Sequence, residues 1–346
     1  MLLGLELGRL SGQPAAIADG VGFGFSVGRA LFSASSGGIL VYVPRREAPR
    51  STLEWLDRGG KRAGVVGEAL EWYQPALSPD GKRLAVGIAD DRADQGNIWI
   101  LDLAKGTRTR LTFGPGSAWN PVWSPDSQRI AYFRSSGPET PPAMYVKAAS
   151  GDGSEEEILG LAAVPDAGDA SLSSWSPDGN TLVLAIFRAK AGANYDIWTL
   201  PLTGERKLHP LVQSPADENA GTISPDGKWM AYESNESGVT EVYVQAFPGP
   251  GGKFQISTRG GHVPRWRRDG KELLFFSAEE HLMSAEVRTT PTFDAGTPQD
   301  LSGRRLEIEA VDLAADGQRL LALLPLPEAT MKSVRLVVNW PAELKK

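Results

Sequence analysis

Trp123-Ser124-Pro125-Asp126-Ser127-Gln128-Arg129-Ile130-Ala131-Tyr132-Phe133 is a tight turn set between two apolar runs. Pro125 presets φ for the second turn position, and Asp126 can bond back to nearby backbone amides. The arrangement recurs as Leu77-Ser78-Pro79-Asp80-Gly81, Trp175-Ser176-Pro177-Asp178-Gly179 and Ile223-Ser224-Pro225-Asp226-Gly227. Weaker copies are Trp266-Arg267-Arg268-Asp269-Gly270 and Leu313-Ala314-Ala315-Asp316-Gly317, and a degenerate one, Phe32-Ser33-Ala34-Ser35-Ser36-Gly37-Gly38, precedes them all. Gly in most copies accepts the left-handed conformation that closes a hairpin. The copies lie roughly 40–50 residues apart, a period shared by propeller blades and helical arrays.

What fills the period decides between these. After Asp80 come short β-rich runs at 83–87, 97–103 and 109–113, and the run entering the turn makes a fourth. Four strands per repeat is the blade pattern of a propeller. The third strand carries an aromatic at Trp99, Tyr145, Trp198 and Tyr243, although 281–285 lacks one. These rings, with Trp123, Trp175 and Trp266 ahead of the turns, are expected to pack between neighbouring blades. The fold class is therefore all-β: a β-propeller of four-stranded antiparallel blades in one domain, 1–346. Seven blades are expected, at 30–66, 73–113, 119–160, 170–212, 219–257, 262–301 and 305–340 plus 1–18. Pairing of N- and C-terminal strands would close the ring, and the degenerate first copy leaves six or eight blades open.

Composition sets bounds. Among 346 residues there are 39 Gly and 25 Pro, natural in a chain of hairpins, and the hydrophobic share of 41% supports a sizeable core. The net charge of −6, with no basic run interleaved with aromatics, argues against nucleic acid as a partner. There is no Cys, so neither disulfides nor thiol chemistry enter. Glu6 interrupts the first apolar residues too early for a leader, and the longest apolar run, 320–326, contains Pro325 and is far short of a membrane span. No compartment follows from these features; a monomer without direct membrane insertion is expected.

The wording of the later repeats narrows the comparison. Apolar-Ser-Pro-Asp-Gly hairpins with aromatic third strands resemble the WD-like propellers of the TolB type. The passages 224–238, 241–249 and 337–345 (Ser-Pro-Asp-Gly-Lys-Trp, Glu-Val-Tyr-Val-Gln-Ala-Phe-Pro-Gly, Val-Val-Asn-Trp) resemble the C-terminal propeller half of bacterial multidomain serine/threonine kinases. That resemblance implies a sensor or interaction module, extracytoplasmic in such kinases. No Gly-rich loop with its strand Lys, His-Arg-Asp loop or Asp-Phe-Gly is present, so it does not imply phosphoryl transfer here.

Candidate chemistry is sparse. Gly24-Phe25-Ser26-Val27-Gly28 has the form of a nucleophile elbow but lacks the following helix and hydrolase domain. Of the three His, His209 and His281 have no partner at metal-ligand spacing. His262 belongs with Gln74, Asn120, Ser171, Asn219 and Glu309, all near the start of an innermost strand. Such positions reach the mouth of a propeller's channel, and a protein, peptide or small ligand would bind there. Asp80, Asp126, Asp178, Asp226, Asp269 and Asp316 read as structural turn residues. Asp90, Asp91 and Asp94 lack the pattern of a calcium loop. No catalytic residue, metal or cofactor is expected. The alternatives are a TolB-like cell-envelope scaffold and a propeller hydrolase or lyase working around His262.

Overall fold

The structure, a computed structural model, describes residues 51–326 apart from 91–94, 138–139, 190–191, 250 and 315. It also describes the short stretches 2–6, 9–15, 23–24, 29–30, 32–35, 39–42 and 335–338. Two compact units are present, Arg50–Pro325 and Met1–Pro49 with Leu326–Lys346. Among the described residues the only helical element is the 3-10 turn Leu161–Ala163, and no helix is long and apolar enough to cross a membrane.

The unit Arg50–Pro325 contains six antiparallel sheets. The first runs Trp72–Leu77, Arg83–Asp90, Gln95–Asp102 and Arg108–Arg110; the second Ser117–Trp123, Arg129–Ser135, Ala143–Ala148 and Glu156–Gly160. The third is Ala167–Trp175, Thr181–Arg188, Asn194–Pro201 and His209–Val212; the fourth Glu218–Ile223, Trp229–Ser234, Glu241–Ala246 and Lys253–Gln255. In the fifth, Gly261–Trp266, Glu272–Ser277 and Leu282–Arg288 are completed by Gln299–Asp300 and Asp294–Ala295. The sixth joins Ala310–Leu313 and Arg319–Pro325 to Ser51–Asp57 and Arg62–Val65.

The repeat spacing groups 30–66 as a first blade, with 1–18 as the partner that closes the last one. Ser51–Asp57 pairs instead with Arg319–Pro325, from Arg319↔Asp57 to Pro325↔Ser51. The last turn thus leads into one strand, Arg319–Pro325, whose outer neighbours Ser51–Asp57 and Arg62–Val65 come from far upstream. In the other unit, Leu2–Glu6 pairs with Arg9–Ala15, and Ile39–Tyr42 pairs with both Phe32–Ala34 and Arg335–Val338.

Six apolar clusters lie between the six sheets, one at each step, including that from the sixth back to the first. The second strand of each sheet feeds two of them. Ile130 and Tyr132 face the first sheet, while Ala131 and Phe133 face the third. Alternation with both faces buried explains why these strands read as continuous apolar runs. The tryptophans ahead of the turns are sheet-to-sheet ties. Trp123 is 5% exposed, its Nε1 donates to the Ala76 carbonyl (2.8 Å), and the Arg83 guanidinium lies 4.9 Å over its ring. Trp266 Nε1 likewise donates to the Thr222 carbonyl (3.0 Å).

The turn aspartates hold their hairpins. Asp126 Oδ1 accepts the Ser124 hydroxyl (2.5 Å) and the Gln128 N–H (2.9 Å), while Ser124 Oγ accepts the Arg129 N–H (2.8 Å). Asp80, Asp178 and Asp226 repeat the bonds from Ser and from the amide two residues on. Asp269 and Asp316 keep the amide bond alone of these two, since Arg267 and Ala314 replace the serine. The Ser124 hydroxyl holds the Asp126 carboxyl below the usual carboxylate range, aided by the Gln128 amide.

Candidate functional site

The innermost strands of the first five sheets each carry a register shift against the second strand. At four of them a non-glycine residue takes the left-handed conformation: Gln74 (φ 50°), Asn120 (φ 51°), Ala220 (φ 52°) and Val263 (φ 54°). Three of these precede Pro75, Pro121 and Pro264. A bulge leaves a residue unpaired and re-aims its side chain, and Pro, lacking an N–H, is tolerated at such a site. The sequence thus breaks the ladder where the strands line the channel.

There a cavity of about 730 Å³ opens. Four of the six expected residues line it: Gln74, Asn120, His262 and Glu309. Ser171 and Asn219 are not in its lining. Ser171 pairs with Ala185 in the ladder, and Asn219 Oδ1 accepts the adjacent Ala220 N–H (2.8 Å). The lining also includes Arg265, Glu280 and Asp312, which the sequence reading missed. Asp312 was within reach of that reading, because it lies on the innermost strand that opens into the last turn.

Most of the polar groups are engaged. Gln74 Oε1 accepts the Asn120 N–H across sheets (2.7 Å), and Glu309 accepts the Ser51 hydroxyl. Asp312 is mostly buried, its side chain 21% exposed, with Arg265 Nε 3.6 Å from its Oδ1. Its Oδ2 accepts the Leu77 N–H (2.7 Å) and its Oδ1 the Leu313 N–H (2.8 Å). Burial pushes its carboxyl up, against the pull of the Arg265 charge. His262 Nε2 lies 3.3 Å from Glu280 Oε2, with the ring beside Phe276. The cavity therefore holds a His–carboxylate pair and an Arg–carboxylate pair, able to accept and donate hydrogen bonds.

The remaining candidates fall elsewhere. His281 Nδ1 pairs with Asp300 Oδ2 (2.7 Å) near the surface, and His209 lines a separate pocket. Ser26, Asp91 and Asp94 lie outside the described residues. Among the described residues no group of three His, Asp or Glu could hold a metal ion.

Comparison with known proteins places this geometry in a fold. No family model matches the chain. The uncharacterized protein Atu1656 of Agrobacterium fabrum is 26% identical over 235 residues, 64% of this chain and 75% of its own length. The uncharacterized peptidase YuxL of Bacillus subtilis is 28% identical over 161 residues, 46% of this chain but 21% of its own length. TolB of Alcanivorax borkumensis is 32% identical over 95 residues, 27% of this chain and 22% of its own length. Among solved structures, a protein assigned as TolB from Agrobacterium tumefaciens superposes with TM-score 0.60 at 18% identity, covering 81% of this chain and 99% of its own. TolB from Acinetobacter baumannii gives 0.53 at 17%, covering 85% and 67%. Oligogalacturonate lyase in complex with manganese gives 0.52 at 16%, covering 85% and 87%. The fold is the TolB-type β-propeller.

Proposed function

We propose that the chain is a non-catalytic binding propeller that receives a protein or peptide segment in its channel. On this reading it serves as the sensor or interaction module of a bacterial receptor-type serine/threonine kinase. The observation that carries the binding role is the cavity of about 730 Å³, into which different sheets bring Asn120, His262, Arg265 and Asp312 between walls such as Pro75 and Val122. An apolar-walled cavity with a few convergent polar groups is the usual form of a ligand site. The likeness of its fold to TolB supports a protein partner, and the wording of 224–249 supports the kinase link. Without a kinase, the same channel would make the chain a TolB-like envelope scaffold.

A photo-crosslinking residue at Asn120, with Thr109 as the outer-strand control, tests the binding role in native cells. An adduct of one defined mass at 120, absent at 109 and lost on adding Arg265→Ala, is expected. Equal labelling at both positions, or none at 120, would remove the reading. Fractionation of the same cells tests the kinase link: it requires the propeller in a membrane-bound chain much heavier than 37.1 kDa.

The His262–Glu280 pair favours a second reading, a hydrolase or lyase with His262 as proton carrier and Glu280 orienting it. The manganese-bound lyase shares the fold alone at its level of identity. Turnover of a peptide or oligosaccharide panel that disappears in His262→Gln, with unchanged melting temperature, would favour this reading over binding.

A further inference from the structure

The hairpin turns ahead of the second strands lie close to one another from sheet to sheet, except at two of the six steps. At four steps consecutive turns lie close together. Ser127 Oγ accepts the Asp80 N–H (3.1 Å), and a Cβ at Gly179, Gly270 or Gly317 would meet Pro125 at 3.7 Å, Pro225 at 3.8 Å or Arg267 at 2.5 Å. Among the described residues nothing lies within 4 Å of where a Cβ at Gly81 or Gly227 would sit. Beside Gly81 the Arg268 guanidinium reaches in and donates to the Pro79 carbonyl (2.8 Å). At Gly227, between the third and fourth sheets, the gap opens into a pocket of about 570 Å³, distinct from the channel.

Its chemistry is one-sided. Asp178 and Asp226 line it, together with the apolar surfaces of Pro201, Pro210, Phe247 and Pro248; no Lys or Arg belongs to the lining. Among the described residues no cation forms an ion pair with either carboxylate. Both are held below the usual carboxylate range: Asp178 by the Ser176 hydroxyl and the Asn180 amide, and Asp226, against the effect of burial, by the Ser224 and Thr289 hydroxyls, the Lys228 amide and the more distant Lys228 charge, which is not in the pocket lining. A cation entering the pocket meets two carboxylates, neither of which is in an ion pair among the described residues. The rigid prolines and the Phe247 ring suit the methylene stem of a basic group, which keeps its head polar while its stem lies on apolar surface.

We propose that this inter-sheet pocket binds an organic cation, its guanidinium or ammonium head between Asp178 and Asp226 and its alkyl stem against Pro201, Pro210, Phe247 and Pro248. The cation is either a free amine or the basic side chain of a partner segment. Its volume is within the ordinary range for ligand pockets.

Isothermal titration at low ionic strength with agmatine and with acetyl-Leu-Arg-Pro-amide tests the site. Saturable one-to-one binding is expected for at least one probe: agmatine alone sufficing identifies a free-amine site, and binding of the tripeptide only identifies a peptide segment. The citrulline analogue of the tripeptide should not bind. Asp226→Asn, which keeps an acceptor for the Lys228 amide, should weaken binding about tenfold, the effect of one lost charge pair near a surface. His209→Lys places a cation beside the carboxylates without touching either turn, and should abolish binding while leaving the melting temperature in place. His262→Gln in the channel should change nothing. No saturable binding by either probe, equal affinity in wild type, Asp226→Asn and His209→Lys, or loss of binding in His262→Gln would overturn the proposal.

Discussion

Replacing Glu272 by Ala should loosen the sixth sheet from the fifth. Glu272 is 5% exposed and accepts four bonds: two from Arg58, one from Arg267 Nη1 (2.7 Å) and one from the Ser284 hydroxyl. Arg58 follows the strand Ser51–Asp57, so this carboxylate ties the distant upstream segment to the fifth sheet. Removing one partner of a buried pair costs about 3–5 kcal/mol. Here Arg58 and Arg267 are 25% and 24% exposed, and Arg267 keeps Asp269 (2.8 Å). Solvent therefore recovers part of the loss, and about 2–3 kcal/mol remains. For a domain of this size that lowers Tm by roughly 4–12 °C. Calorimetry on wild type, Glu272→Ala, Arg58→Ala and the double variant should give a coupling of about 1–2 kcal/mol. Additive single losses, or a Glu272→Ala cost under about 0.5 kcal/mol, would refute the tie. Acid supplies an independent check. Burial alone would raise the Glu272 carboxyl, but the hydrogen bonds from Arg58 and Ser284 and the charges of Arg58 and Arg267 hold it low. A depressed folded-state pKa gives stability that is present above about pH 4.3 and lost as pH falls through the folded value. The gap between wild type and Glu272→Gln should therefore be widest near neutrality and close in acid.

Three other substitutions test local claims. Asp126→Ala should cost on the order of 1 kcal/mol in urea unfolding, because exposed amides regain water, and should leave crosslinking at Asn120 unchanged. Trp123→Phe keeps an aromatic ring but removes the indole N–H that the Ala76 carbonyl accepts, an expected loss of about 1–2 kcal/mol by the same assay. Gly87→Ala would place its Cβ 2.0 Å from the Tyr73 ring, an overpacking cost of about 1–3 kcal/mol that Gly87→Ala/Tyr73→Leu should relieve in thermal unfolding.

The sheets were legible because turn and strand chemistry repeat locally. Pro125 and Asp126 define a hairpin without reference to the rest of the chain, and the alternation of Ile130 to Phe133 between two cores shows as an unbroken apolar run. Sheet number was less legible. Ser51–Asp57 has the composition of an outer strand, but its partner Arg319–Pro325 is a matter of long-range pairing that local chemistry does not encode. The channel residues were read in two registers. Counted back from the turn aspartate, Gln74 and Asn120 sit one position nearer than Ser171, Asn219, His262 and Glu309. One residue turns a strand side chain to the opposite face, and the left-handed residues Gln74, Asn120, Ala220 and Val263 all share the nearer register. Ser171 and Asn219 miss the cavity while His262 and Glu309, in the same register, line it, so the count from the turn does not by itself decide which side chains reach the channel. Arg265 was hidden because an isolated charge on an alternating strand reads as solvent-facing, whether the water is outside the protein or in its channel.

The sixth sheet also sets a timetable for the ribosome. Its outer strands, Ser51–Asp57 and Arg62–Val65, emerge early, yet the strand they pair with, Arg319–Pro325, is made last in the unit. At ordinary elongation rates the delay is on the order of 10–50 s. Through that interval a nascent chain carries the apolar faces of Leu53 and Leu56, which end up 0% and 2% exposed, with no mate yet synthesised. Any chaperone attending this protein has its natural client in that waiting hairpin, and a stop codon shortly before Arg319 would leave it stranded for good.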